Sequence, residues 1–100
     1  MRQPEFLGVD PRELHLLPSQ AGGADPFKLQ TQIVRYGTST AGIPPAWVYR
    51  GSDGALVLYN GVTRATRIAR LLPGTPIRVE VVGEFKRPVG HFPKLGSTLP

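Results

Sequence analysis

The residues best suited to chemistry lie in the run from Asp53 to Arg70, where a glycine separates a strand-like segment from a helix-like one. Asn60-Gly61 is typical of a tight hinge, and the segment after it carries three arginines at helical spacing: Arg64, Arg67 and Arg70. The first N–H groups of a helix have no intrahelical partners, and the helix dipole adds partial positive charge there. The pattern therefore predicts an anion site at a helix N-terminus, with arginines suited to phosphate.

Residues within this motif have separate expected roles. Arg64 is the predicted phosphate contact, because guanidinium pairs bidentately with phosphate oxygens, and Arg67 is expected beside it on the helix. Asn60 is able to hydrogen-bond a substrate, although Asn before Gly is also a routine turn choice. Thr63 is a candidate hydroxyl but is better explained as a helix cap. The predicted catalytic residues are Asn60, Thr63 and Arg64, and the predicted phosphate- or nucleotide-binding residues are Gly61, Thr63, Arg64 and Arg67.

The charge balance favours an anionic partner. Lys and Arg number 12 against 7 Asp and Glu, which gives a formal charge of +5. Nucleic acid, a nucleotide or an acidic protein would suit this charge, whereas the alternative is that the arginines only solvate a helix face. Tyr36 and Tyr59 are candidates to stack on a base, with sheet packing as the alternative. A nucleic-acid or substrate surface is predicted at Arg70, Arg78, Lys86 and Arg87.

Other residue types restrict the chemistry. The absence of cysteine excludes disulfides, thiolate metal sites and cysteine nucleophiles. His15 and His91 are far apart and have no carboxylate or second histidine at ligand spacing, so no metal site is predicted. Asp53 is expected in a hairpin turn for structural reasons, and Glu80 is expected to face solvent or pair with Arg78.

Length and composition predict one small domain. One hundred residues support a modest core, and 11 Pro with 12 Gly favour short elements over long helices. No apolar run approaches the roughly 20 residues of a membrane span, and the first residues lack an apolar signal core. We therefore expect a soluble, cytoplasmic protein with no membrane partner.

The residue patterns predict an α+β fold with a small mixed sheet, a β-hairpin and two to three short helices. Residues 12–17 are read as one helical turn or an extended arm, and residues 1–82 are expected to form the domain. Residues 83–100 are expected to be a basic, Pro- and Gly-rich arm or partly ordered extension. The predicted elements are a strand over 5–9, a helix capped by Asp25 and ending at Gly37, a hairpin over 46–59, a helix with an apolar face of Val62, Ala65, Ile68, Ala69 and Leu72, and a strand over 77–82.

This order of elements resembles the ParB/sulfiredoxin-like domain, also called the ParB-like nuclease domain. The likeness covers roughly residues 5 to 82. It implies a pocket in which the motif glycine and arginine, here Gly61 and Arg64, hold phosphate at the helix start. The matching segments are Tyr36-Gly37, Ile43-Pro44-Pro45-Ala46-Trp47-Val48, Ser52-Asp53-Gly54, Gly61-Val62-Thr63-Arg64 and the strand over 75–81.

Members of this family share the pocket and differ in chemistry. They include CTP-dependent chromosome-partitioning proteins, a sulfinic acid reductase that uses ATP, a free-serine kinase, and toxins that modify nucleotides or proteins. Likeness of fold alone therefore selects no reaction.

Two residues depart from the family's best-known motifs. Partitioning proteins have Gly-Glu-Arg-Arg here, so Val62 stands where the glutamate would be and Thr63 where the first arginine would be. Sulfiredoxins have Cys-His-Arg after the glycine, and the missing cysteine excludes reductase chemistry. The motif of this chain is similar to those of small stand-alone ParB-like proteins and of ParB-like modules in bacterial polymorphic toxins.

The expected function is binding of a nucleotide or phosphorylated substrate in the pocket from Gly61 to Arg67, by a toxin or effector enzyme that hydrolyses or transfers a phosphate-linked group. The alternatives are non-catalytic binding of DNA or RNA, and a protein-interaction module. The resemblance implies CTP or ATP with Mg²⁺ as ligand, and no other cofactor is predicted. A toxin would also imply a cognate immunity or antitoxin partner and a secreted location.

Overall fold

A mixed β-sheet and two α-helices form the framework of residues 3–99, the part of the chain that the computed structural model describes. The strands lie in the order β1-β5-β3-β4-β2, so the predicted α+β class is confirmed. Short 3₁₀ turns occur at Pro11–Glu13, Pro18–Gln20 and Leu95–Thr98. The elements are β1 (Glu5–Val9), β2 (His15–Leu16), α1 (Pro26–Tyr36), β3 (Ala46–Arg50), β4 (Leu56–Asn60), α2 (Val62–Leu71) and β5 (Ile77–Glu84).

The sheet contains both parallel and antiparallel pairs. Strands β3 and β4 are antiparallel, as predicted for a hairpin, with Val48 opposite Leu58. Strand β5 lies between β1, to which it is antiparallel, and β3, to which it is parallel. The short β2 pairs in parallel with β4 and follows a 3₁₀ turn, so residues 12–17 combine the two conformations that the sequence left open.

Helix α1 begins and ends where the sequence predicts. The Asp25 carboxylate accepts hydrogen bonds from the N–H groups of Phe27 at 2.8 Å and Lys28 at 3.3 Å, and Gly37 ends the helix at a φ of 53°. The near-helical spacing of its apolar residues predicts an apolar face that includes Phe27 and Val34, and this prediction is wrong in part, because both are exposed and Leu29 is the buried residue of α1. Helix α1 packs on α2. Contact with another helix buries a narrower apolar stripe than contact with the sheet would.

The hydrophobic core lies between one face of the sheet and α2. Alternation along β5 sends Ile77, Val79 and Val81 to this face, as the sequence predicts. Helix α2 faces the core with much of its predicted apolar stripe. The buried cluster consists of Leu14, Leu16, Ala46, Val48, Leu58, Val62, Ala65, Ala69, Val79 and Leu95.

The C-terminal segment is part of the packed structure, in contrast to the expected arm. Strand β5 runs two residues further than predicted, to Glu84. Beyond it, Val89 and Leu95 are almost fully buried. The N–H of Leu95 donates to the carbonyl of Leu14 at 2.7 Å, and the N–H of Leu16 donates to that of Pro93 at 2.8 Å. The apolar residues of this segment follow no helical or strand period in the sequence. The reason is that they contact the core one at a time and not as one face of a helix or strand.

Asp53 fastens this segment to the β3–β4 turn. Its carboxylate accepts hydrogen bonds from the N–H groups of Gly90 at 2.8 Å, Val89 at 3.2 Å and Ala55 at 3.3 Å. These bonds, that of Gly90 above all, lower the pKa of Asp53 because they favour the charged carboxylate. The structural role expected for Asp53 thus includes a contact distant in sequence.

Replacing Asp53 with Asn should lower the free energy of unfolding at neutral pH. It should also make that free energy depend less on pH in the acidic range. A carboxylate whose pKa is lowered by folding stabilises the protein above its unfolded pKa, about 3.9. That stabilisation is lost as the pH falls through the lower, folded-state pKa. Urea denaturation of wild type and Asp53→Asn at several pH values should therefore show a difference that shrinks towards acid. A difference independent of pH would contradict this role.

Candidate functional site

The predicted hinge between β4 and α2 is present, and its geometry requires glycine. Gly61 has a φ of 100° and a ψ of 19°, a left-handed conformation that disfavours residues with a Cβ. A Cβ at this position would also lie 2.9 Å from the Cβ of Ala46 on β3. Gly61 therefore lets the start of α2 approach the sheet closely.

The N-terminus of α2 has no side-chain cap. Gly61 occupies the N-cap position, and α2 begins at Val62. Thr63 therefore lies inside the first helical turn, so the prediction that it caps the helix is wrong. A threonine cap would require α2 to begin after Thr63, whereas the glycine hinge lets it begin before this residue. The first N–H groups of α2 consequently meet no capping hydroxyl or carboxylate from the N-cap residue.

Arg64 folds back over this helix start. Its Nη2 lies 3.0 Å from where a Cβ of Gly61 would be, which places the guanidinium group against the glycine. The Nε atom is buried and has no hydrogen-bond partner among the described residues. No carboxylate in residues 3–99 forms an ion pair with Arg64, so its charge is available to an anion.

A cavity of 410 Å³ lies at the N-terminus of α2, and we call it the α2 cavity. It gathers four of the predicted site residues, namely Asn60, Gly61, Thr63 and Arg64. The other lining residues are Gln20, Lys28, Gln32, Tyr59 and Val62. Two cations and three amide side chains thus face one space, and none of these described lining residues is acidic. Such a set can bind an anion, and it supplies no evident general acid or base.

The sequence did not indicate the lining residues of the α2 cavity that lie outside the motif. Lys28 and Gln32 belong to α1 and lie four residues apart, which puts them on the same side of that helix. Gln20 comes from the 3₁₀ turn before it. The spacing of Lys28 and Gln32 was visible in the sequence, but only the packing of α1 on α2 directs that face towards Gly61.

Arg67 has a structural position different from the predicted one. Its side chain is 1% exposed, and Nη1 donates hydrogen bonds to the carbonyls of Gly37 at 2.7 Å and Ser39 at 2.9 Å. The guanidinium carbon lies 5.4 Å from the centre of the Tyr36 ring. These groups surround the C-terminus of α1, where the helix dipole favours a cation. Arg67 therefore joins the two helices, because α1 covers the helix face on which an exposed arginine was expected.

A second cavity of 210 Å³ adjoins the first. Arg64 and Gln32 line both cavities, and Arg67 and Tyr36 line the second. All four buried side-chain polar atoms that lack a hydrogen-bond partner in residues 3–99 belong to residues lining these two cavities. They are Gln20 Oε1, Gln32 Oε1, Arg64 Nε and Arg67 Nε.

The remaining predicted surface residues lie in three separate places. Arg70 lines a cavity of 290 Å³ at the opposite end of α2, together with Arg12. Arg78 stacks over Phe6, with 3.9 Å between its guanidinium carbon and the ring centre. Lys86 and Arg87 line a cavity beyond β5. The basic residues therefore do not form one continuous surface around α2.

Comparison with known proteins identifies no family. No protein-family model matches the chain, and a search of curated proteins finds no match. The resemblance to ParB/sulfiredoxin-like domains accordingly stays a prediction drawn from the motif. Among the described residues, no helix has the length and apolar character needed to cross a membrane. Residues 3–99 also contain no cluster of three or more His, Asp or Glu side chains placed to hold a metal ion.

Replacing Arg67 with Ala should destabilise the fold by roughly 3 kcal/mol, because two carbonyls at the end of α1 lose a charged donor and a buried volume is emptied. Arg70→Ala is the matched control on the same helix. Arg70 is exposed, so its loss should change the free energy of unfolding by no more than about 0.5 kcal/mol. Urea denaturation measures both, and equal effects would contradict a buried role for Arg67.

Proposed function

We propose that the α2 cavity binds the phosphate groups of a nucleotide or of another phosphorylated molecule. The observation that carries the proposal is the clustering of unsatisfied polar atoms around the two adjoining cavities. Buried polar groups without partners are rare and costly in folded proteins. Their concentration around the two cavities is a local cost to stability of the kind that proteins retain mainly where function requires it.

The charges in the cavity favour an anion. Lys28 and Arg64 approach from α1 and α2, and the uncapped N-terminus of α2 adds its N–H groups and partial positive charge. Arginine suits phosphate in particular, because its donors match two phosphate oxygens at once. A volume of 410 Å³ falls within the range of small-molecule sites, about 300 to 1,000 Å³.

The α+β architecture and the glycine-arginine motif at a helix start are compatible with the ParB/sulfiredoxin-like domain that the sequence resembles. On that analogy the ligand would be CTP or ATP, with Tyr59 at the cavity edge beside the base. Magnesium is usually held in nucleotide sites by one or two carboxylates together with phosphate oxygens. The described lining residues offer no carboxylate, so the proposal assigns no protein ligand to magnesium.

The proposal is for binding and does not extend to phosphate hydrolysis or transfer. Asn60 and Thr63 are present in the cavity as hydrogen-bonding groups for a ligand. A carboxamide does not act as a general base, and a threonine hydroxyl needs an activating partner to take part in catalysis. A reaction at this site would need an acid or base from the substrate or from a partner protein.

Isothermal titration with CTP, ATP, cytidine and inorganic phosphate, each with and without Mg²⁺, tests the proposal. We expect binding that requires phosphate, and we expect Arg64→Ala to weaken it roughly 10- to 100-fold, as for loss of a charged hydrogen bond. Lys28→Gln should weaken it less, because this flexible, exposed side chain is less confined than that of Arg64.

Arg70→Ala again provides the control, since it removes one positive charge from α2 without touching the cavity. Thermal unfolding without ligand verifies that each variant is folded. Nucleotide binding by Arg64→Ala that is as tight as that of the wild type, or cytidine binding equal to that of CTP, would overturn the proposal. Absence of binding by every phosphorylated compound would do the same.

A further inference from the structure

The sheet face opposite the core carries four aromatic rings in contact, which we call the aromatic row: Trp47, Tyr59, Tyr49 and Phe85. Trp47 and Tyr49 alternate along β3 with the buried Ala46 and Val48, so they point away from the core. Ring centres are 6.5 Å apart for Trp47 and Tyr59, 5.3 Å for Tyr59 and Tyr49, and 4.8 Å for Tyr49 and Phe85.

The exposed end of the row presents large ring surfaces to solvent. Trp47 is 44% exposed and Tyr59 is 49% exposed. Their planes are within 6° of parallel, so a flat ligand that is parallel to one ring is parallel to the other as well. The open face also includes Phe6 and Val82, which are partly exposed as well. No described element covers these residues, and exposed apolar groups gathered in this way are typical of a binding surface.

The backbone holds the row in place. The Tyr49 ring lies directly against Gly83 of β5, where any Cβ would collide with it. Tyr49 is also stacked on Phe85, with planes 16° apart. The inner rings are therefore fixed by the sheet, and Tyr59 makes an edge-to-face contact with Tyr49 at 78°. A ligand would meet a largely preformed surface, which lowers the entropic cost of binding.

Positive charge follows the buried end of the row. Lys86 and Arg87 come directly after Phe85 and, with it, line a cavity of 610 Å³. Both are exposed, and neither forms an ion pair within residues 3–99. Arg78 adds a third cation over Phe6 on the same face. Glu80 lies opposite both Phe6 and Trp47 in the strand register and adds a negative charge to this face.

We propose that the aromatic row is a docking surface for single-stranded nucleic acid, with bases stacked on Trp47 and Tyr59 and backbone phosphates bound by Lys86 and Arg87. Unpaired bases expose flat faces that stack on aromatic side chains, whereas bases in a duplex are already stacked on one another. The unpaired cations and the net charge of +5 complement a polyanion. An apolar surface of a partner protein would match these charges less well.

This surface is distinct from the α2 cavity and does not depend on its function. Tyr59 borders both, but Trp47, Lys86 and Arg87 do not line the α2 cavity. Loss of Arg64 should therefore weaken nucleotide binding roughly 10- to 100-fold and leave oligonucleotide binding within about twofold. The two proposals can fail separately.

Trp47 is the only tryptophan, so its fluorescence reports directly on occupation of the row. Titration with 12-nucleotide oligo(dT) and oligo(U) should quench it in a saturable way, and comparison of the two separates DNA from RNA as ligand. A duplex of equal length should bind at least tenfold more weakly. The logarithm of the affinity should fall with the logarithm of salt concentration, by about 0.7 for each phosphate contact.

Variants separate stacking from charge, with binding measured by anisotropy of a labelled oligonucleotide. Trp47→Ala and Tyr59→Ala should each weaken binding roughly 5- to 100-fold. Lys86→Gln together with Arg87→Gln should reduce the salt slope by about 1.4. Phe27→Ala, at an 81% exposed aromatic residue on α1, and Arg70→Gln are the matched controls and should have no effect.

Circular dichroism checks folding, and Trp47→Leu replaces Trp47→Ala if the latter does not fold. Undetectable binding at low salt, equal affinity for duplex, or aromatic variants that bind as the wild type would each overturn the inference. So would Trp47 fluorescence that changes with protein concentration alone together with a dimer in sedimentation, since a second copy would then occupy the row.

Discussion

The arrangement of the two helices depends on one buried cation. Arg67 of α2 donates to the carbonyls of Gly37 and Ser39 at the end of α1 and lies over the Tyr36 ring, with almost no exposure to solvent. Burying a charge is costly unless carbonyl dipoles and hydrogen bonds replace water around it. The C-terminus of α1 supplies both, so the requirements of this guanidinium group restrict how α1 sits against α2.

The candidate site is a consequence of this restriction. Helix α2 is held close to the sheet because Gly61 has no side chain to collide with Ala46. Helix α1 is held to α2 by Arg67, which brings Lys28 and Gln32 opposite Arg64. The buried polar atoms around this space that lack hydrogen-bond partners lower the stability of the fold. Proteins retain such local costs mainly where function requires them, and here they coincide with the space that the motif predicts for phosphate.

The sheet separates this site from a second surface of different chemistry. Its covered face, with the helices, presents amides and cations around a helix N-terminus, while its open face presents the aromatic row. The C-terminal segment contributes to the open face through Phe85, Lys86 and Arg87, and Asp53 holds that segment in place. The first surface combines amides with localised positive charge, and the second combines exposed aromatic rings with neighbouring cations.

Local signals in the sequence determined the first strand, the capped helix α1, the hairpin and the glycine at the start of α2. Each depends on neighbouring residues: Asp25 caps the N–H groups next to it, and Gly61 adopts a φ that few other residues tolerate. The motif residues Asn60, Gly61, Thr63 and Arg64 were found for the same reason, since they are consecutive or nearly so.

Tertiary structure alone decided that Arg67 is buried, that Lys28 joins the site, and that the C-terminal segment packs on the core. Those outcomes depend on which helix face meets another element, a property of distant parts of the chain that local periodicity does not contain.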